Sequence, residues 1–191
     1  VDQFINRLVE IFSEVKRVLR DDGVLWVNIG DAYTSGDRGY RAPDKKNPVR
    51  AMTFRPNTPE GLKPKDLIGL PWKLAFALQR DGWYLRSDII WHKPNCMPES
   101  VKDRPTHSHE YLFLLSKSER YYYDYESIRE ENGRNKRTVW SIPTQAFKGA
   151  HFATFPTSLI EPCILAGSKP GDYVLDPFFG SGTVGVVCNK L

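Results

Sequence analysis

Asp176-Pro177-Phe178-Phe179-Gly180-Ser181-Gly182-Thr183-Val184-Gly185 is the stretch whose reading decides the fold of this chain. Before it, Asp172 to Leu175 reads as a short strand; after it, a helix opens near Thr183. Gly180, Gly182 and Gly185 satisfy G-x-G-x-x-G, the spacing of a tight strand-to-helix turn whose backbone a ligand can approach beneath a helix N-terminus. No lysine follows the glycines, so the turn is not a P-loop. Taken alone the pattern fits NAD, FAD or a bare turn. The acidic residue about 20 positions on, which marks dinucleotide binding, would fall after Leu191.

Working outward, Phe4, Leu8, Ile11, Phe12, Val15, Val18 and Leu19 recur at helical spacing, and Gly23 is placed to end that helix as its C′ residue. Val24 to Ile29 reads as a buried strand. Leu67 to Arg80 reads as an amphipathic helix with Pro71 in its first turn, and Trp83 to Trp91 as a strand. Glu110 to Leu115 is a third strand, and Tyr121 to Tyr125 an extended segment. Phe155 to Ala166 is helical in pattern, against the resistance of Pro162 to a straight helix. Helices alternating with apolar strands predict an α/β fold, a doubly wound sheet of Rossmann-like type.

Composition narrows the class. The chain has 191 residues, 40% hydrophobic and 26% charged, which suits one globular domain able to bury a core. No apolar run approaches the roughly 20 residues that span a bilayer, and the first residues do not form a signal peptide. Cys96, Cys163 and Cys188 are widely spaced with no CxxC, which argues against a disulfide scaffold and for a cytoplasmic setting. The net charge is +4. Residues 32–66 lack periodicity and are rich in Pro and Gly, a basic loop insertion. Between Gly36 and Lys65 eight basic residues (Arg38, Arg41, Lys45, Lys46, Arg50, Arg55, Lys63, Lys65) face three acidic ones, an excess of five. The rest of the chain is near neutral. A basic excess of this kind permits contact with nucleic-acid phosphates without demanding it.

The motif Asp176-Pro177-Phe178-Phe179-Gly180-Ser181-Gly182-Thr183 resembles the AdoMet-binding motif of the DNA amino-methyltransferases, which modify N6 of adenine or N4 of cytosine. Phe152-Ala153-Thr154-Phe155-Pro156, with Leu159 and Ile160, resembles the motif placed just before the AdoMet loop in the β-type order of that family. The segments Leu25-Trp26-Val27-Asn28-Ile29-Gly30-Asp31, Trp83-Tyr84-Leu85, Trp91-His92-Lys93-Pro94-Asn95 and Glu110-Tyr111 are similar to it too, so the resemblance covers nearly the whole chain. It implies an AdoMet-dependent methyltransferase fold, S-adenosyl-L-methionine as cofactor, and double-stranded DNA as partner in a restriction–modification or solitary methylation setting. No membrane is implied, and a homodimer is left open. Asp176, Pro177, Phe178, Gly180, Ser181, Gly182 and Thr183 would line the cofactor pocket, with Phe152, Thr154 and Pro156 at the methionine end. Arg38, Arg41, Lys45, Lys46, Arg50, Arg55, Lys93 and Asn95 would face DNA.

The family's catalytic tetrapeptide, Asp/Ser-Pro-Pro-Tyr/Phe, does not occur here. In the β order it would stand before Val1, so no catalytic residue is assigned. The ribose-binding acidic residue would stand after Leu191. The expectation is thus a single partial methyltransferase domain over residues 1–191, cut at both ends, with its activity by itself left open. The alternative is a non-catalytic DNA-binding module of the same fold, and a dinucleotide-binding oxidoreductase is a third reading.

Other constellations read as structural. His92, Cys96, His107 and His109 match no zinc spacing, so no metal is expected. Cys163 lies at helical spacing with Leu159 and Ala166, as a packing residue rather than a nucleophile. Tyr121, Tyr122, Tyr123 and Tyr125 could stack bases, but such a run is more often packing.

Overall fold

The computed structural model describes residues 1–34, 57–145 and 154–191. Its elements run α1 (Asp2–Val18), β1 (Val24–Ile29), α2 (Leu70–Arg80), β2 (Tyr84–His92), β3 (His109–Ser116), β4 (Val139–Ser141), α3 (Thr157–Gly167) and α4 (Thr183–Cys188). The four strands form one mixed sheet in the order β1-β3-β2-β4. β3 is antiparallel to both β1 and β2, and β4 is parallel to β2. The carboxyl ends of β1, β2 and β4 therefore share one edge of the sheet with the amino end of β3.

Helices cover both faces. Val27, Phe113, Leu115 and Trp83 pack with Ile5, Phe12 and Val15 of α1 and Leu74, Ala75 and Leu78 of α2. Ile89, Trp91, Leu112 and Trp140 pack with Leu159, Ile160 and Cys163 of α3 and Val187 of α4. Alternation along β3 assigns Phe113 and Leu115 to one core and Leu112 to the other, as a period of two requires. β2 breaks that rule. Leu85 packs on the first core, while Ile89 and Trp91 serve the second. The pairing supplies the cause: Leu85 faces Leu115 and Ser87 faces Leu114, leaving Arg86 as the extra residue of a bulge. One inserted residue carries all that follows to the opposite face.

Several expectations are corrected. Gly23 is not a left-handed C′ residue; α1 ends where Leu19 turns extended, at φ −67° and ψ 141°. Gly23 is needed for space instead, because a Cβ there would lie 2.6 Å from Leu19 Cγ. The second helix opens at Leu70 rather than Leu67, since Leu67 pairs with Tyr33 in an isolated antiparallel bridge. Tyr121 to Tyr125 joins no strand, and Tyr125 lies in a bend. Asp172 to Leu175 is not a strand either. Tyr173, Val174 and Leu175 are exposed, and no described strand lies beside them to share backbone hydrogen bonds. β4 escaped the sequence reading because it spans three residues, too few for periodicity.

α3 carries Pro162 inside it. Its C-terminus docks against β1 closely: a Cβ on Gly167 would lie 2.8 Å from Val24 Cγ2 and 3.0 Å from Trp26 Nε1. Gly167→Ala should therefore destabilise the protein by about 1–3 kcal/mol through overpacking, read as a lower urea midpoint with an unchanged slope. An unchanged midpoint would show that α3 can retreat from β1 without cost.

Candidate active site

The carboxyl edge of the sheet gathers the polar side chains, as expected for an α/β fold. At the end of β1, Asp31 accepts backbone hydrogen bonds from Ala32 (2.8 Å), Gly69 (3.0 Å) and Leu70 (3.1 Å). This carboxylate caps α2 from 38 residues away, where Gly69 has no side chain to do so. The flanks of the basic loop are zipped beside it. Thr34 N–H donates to Asp66 O, Ile68 N–H to Ala32 O, and Thr34 Oγ1 to Lys63 O. Of the loop's expected DNA contacts, Arg38, Arg41, Lys45, Lys46, Arg50 and Arg55 lie outside the described residues, as does Phe152.

At the end of β2, Lys93 forms an ion pair with Glu110, and its ammonium sits 4.4 Å from the Trp91 ring centre. Asn95 Nδ2 donates to Thr144 O at 3.0 Å, while its Oδ1 accepts from Thr144 N–H at 2.8 Å. Both residues, expected at DNA, hold intramolecular partners here and brace the start of the connection from β2 to β3. His92 Nδ1 is 3.0 Å from Ser141 Oγ. His107 and His109 stack at 4.7 Å, and His109 meets Tyr111 edge-on. Among the described residues no group of three His, Cys, Asp or Glu side chains is placed to hold a metal ion.

The turn at 176–182 is built from its own residues. Asp176 Oδ1 accepts from Phe178 N–H at 3.0 Å. Gly182 N–H donates to Phe179 O at 2.8 Å, and Gly180 and Gly182 take φ of +51° and +78°. The hydroxyls of Ser181 and Thr183 lie 3.1 Å apart. The Phe179 ring lies over Gly182 and Gly185, where a Cβ would approach it to 3.2 and 3.1 Å. Two of the three motif glycines thus make room for an aromatic ring of the motif itself, and Gly180 faces nothing closer than Phe178 O at 3.5 Å. The Phe178 ring meets Phe12 of α1 edge-on at 6.0 Å, which ties the turn to the first core. Pro156 is the N-cap of α3, with Thr154 just before it.

This turn and the sheet behind it match known proteins. The family model described as DNA methylase (N6_N4_Mtase) matches residues 1–191. The chain belongs to that family. It is 77% identical to the Type II methyltransferase M.Cfr9I of Citrobacter freundii over 98% of its length, and 63% identical to M.SmaI of Serratia marcescens over 100%. It covers 64% of the first relative and 68% of the second, so it spans about two thirds of the length of the curated relatives it matches. Among solved structures, the cytosine-N4-specific PvuII DNA methyltransferase aligns over 99% of the chain with a TM-score of 0.76 at 20% identity, covering 63% of that protein. M1.HpyAVI, solved as a SAM complex, aligns over 96% with a TM-score of 0.63 at 18% identity, covering 71% of that protein. The mixed α/β architecture is the AdoMet-dependent methyltransferase fold.

The other candidates settle as packing. Cys163 is buried, its thiol donates to Leu159 O at 3.4 Å, and burial pushes its pKa up, away from a nucleophilic thiolate. The tyrosines lie at the opposite edge of the sheet from the site: Tyr122 N–H donates to Asp22 O, Tyr121 accepts from Arg86, and Tyr123 packs on Trp26. Sequence reasoning missed Asp31, Arg104 and Glu110 as organisers of the carboxyl edge. Asp31 and Glu110 stood in segments similar to the family but with no role assigned, and Arg104 carried no signal.

His109 is held below the ordinary histidine pKa, first by burial and then by His107, with Glu110 opposing and His92 and Lys93 adding. The folded state thus prefers neutral His109. The stability this group contributes is present above its ordinary pKa of 6.5 and is lost as pH falls below it. His109→Gln should flatten the fall in unfolding midpoint between about pH 7 and pH 5. A fall as steep as in the parent would assign the acid sensitivity elsewhere.

Proposed function

We propose that the protein containing this chain transfers a methyl group from S-adenosyl-L-methionine to the exocyclic amino group of a base in double-stranded DNA, N4 of cytosine or N6 of adenine. The observation that carries the reading is the 77% identity to a Type II methyltransferase across 98% of the chain, including the Asp176–Thr183 turn. Restriction–modification in the cytoplasm is the setting this reading gives it.

The turn fits the cofactor chemically. One carboxylate oxygen of Asp176 shapes the turn through Phe178, and the other is available to accept from an ammonium group. The left-handed backbone at Gly180, with no side chain beside it, leaves that part of the turn open, and the Ser181 and Thr183 hydroxyls can donate to a carboxylate. Thr154 and Pro156, at the start of α3, would bound the methionine end. When bound, the cofactor supplies an electrophilic methyl on a sulfonium centre. The protein's contribution is then positioning: the base must leave the stack, its amino group must be aligned in a near-attack geometry, and fixed dipoles must favour the developing charge. No thiol nucleophile is required, in keeping with the buried state of Cys163.

Two measurements test this. Tritiated cofactor and unmethylated plasmid, given to protein expressed from its complete coding region, should yield labelled DNA. Digestion should then give N4-methylcytosine or N6-methyladenine, and unlabelled DNA would refute the reading. Asp176→Ala should weaken cofactor binding by about tenfold or more, the loss of one charge-assisted hydrogen bond, in calorimetry; unaltered affinity would remove Asp176 from the site.

For the DNA contacts, Arg38, Arg41, Lys45 and Lys46 are proposed to neutralise phosphates. Replacing all four with Gln should reduce the slope of log affinity against log salt by up to about 0.9 per lost contact. An unchanged slope would reassign the basic loop.

A further inference from the structure

The connection between β2 and β3 runs from residue 93 to residue 108. An antiparallel pair can be joined by about 2–5 residues, so most of this connection serves something other than closing the sheet. It leaves from the carboxyl edge, where the candidate site lies. In its first half stands Met97, 83% exposed. An exposed methionine on a slack loop would mean little, but this loop is held throughout. Lys93 N–H donates to Ser108 O across its base, and Asn95 ties it to Thr144 beyond β4. Glu99 binds the Arg104 guanidinium at 2.6 Å and accepts from His107 N–H. Arg104 in turn lies 3.8 Å from the centre of the Tyr33 ring, beyond the end of β1. Asp103 pairs with Lys65 at the foot of the basic loop. Pro94, Pro98 and Pro105 stiffen the backbone further. The loop is therefore stretched across the carboxyl ends of β4, β2 and β1, and its bracing holds an apolar side chain out in water.

A base can reach the methyl donor only after leaving its stack, and the gap it leaves costs stacking energy. Proteins that open DNA steps insert apolar wedges, methionine among them, and an unbranched, polarisable thioether adapts well to flat aromatic surfaces. We propose that Met97 is such a wedge: it enters the duplex beside the target and fills the space the extruded base vacates. The proposal rests on the methyltransferase reading above. Lys102, five residues on in the same loop, is exposed and would be free to neutralise a phosphate beside an opened step.

The test uses protein from the complete coding region. The position methylated in plasmid DNA is first mapped with the parent protein. Oligonucleotide duplexes carrying that site are then compared, one fully paired and one mismatched opposite the target base, which is already loose in its stack. Met97→Ala should lower kcat/KM on the paired duplex by about tenfold or more and on the mismatched duplex by no more than about threefold. Met97→Leu, which keeps an apolar side chain of similar size, should recover most of the paired-duplex activity. Equal losses on the two duplexes, no loss on the paired one, or failure of Met97→Leu to recover would each overturn the wedge. Absence of methyl transfer by the parent protein would overturn the methyltransferase reading first, and is seen before any variant is made.

Discussion

Everything in this molecule is arranged around β3, a strand buried on both faces and paired along both edges. Leu112, Phe113 and Leu115 are each at most 1% exposed. A strand in that position has no solvent-facing side, so from Tyr111 to Leu115 its sequence is an unbroken apolar run rather than alternating. β1 and β2 are both antiparallel to it, which makes them parallel to each other and puts their carboxyl ends at one edge. The site is a consequence of that geometry: Asp31, Lys93 and Glu110 meet there because the strands bearing them end, or begin, at the same level.

The fold was legible where local pattern and tertiary fate agree. The first helix shows a helical period that its buried residues repeat, and β1 and β3 show apolar runs that the fold pairs and covers with helices. The parts that were not legible depend on partners distant in sequence. The Arg86 bulge reverses the faces of β2, and nothing in Leu85-Arg86-Ser87 announces it. β4 becomes a strand only because β2 offers an edge to Val139, Trp140 and Ser141. The reverse holds for Asp172 to Leu175, which has the apolar composition of a strand but no neighbouring strand among the described residues. Strand propensity measures fit to a pleated, half-buried surface, and without that surface Tyr173, Val174 and Leu175 stay in water.

The motif of the candidate site was legible in the sequence, and the contacts that support its neighbours were not. The glycines at 180, 182 and 185 point to a ligand-binding turn, and relatives of the chain confirm the family. Their physical work is nonetheless divided: Gly182 and Gly185 accommodate the Phe179 ring, while Gly180 leaves the turn open. Lys93 and Asn95 stood out in sequence because their segment ends a strand and enters a loop, where α/β sites form. The fold gives each an intramolecular partner, Glu110 and Thr144, that no spacing rule could have matched across 17 and 49 residues.

Those partnerships explain why a loop as long as 93–108 keeps a defined course. A long connection has much conformational freedom to lose on ordering, and each tether offsets part of that loss. Surface ion pairs such as Lys65–Asp103 contribute little individually. The Lys93–Glu110 and Arg104–Glu99 pairs are better shielded, and one backs onto Trp91 while the other stacks on Tyr33. Removing either partner would leave a partly buried charge unpaired, which is the costly outcome. The paired charges along this loop therefore act chiefly on the protein itself: they hold in place a backbone that presents an uncharged side chain, Met97, to water.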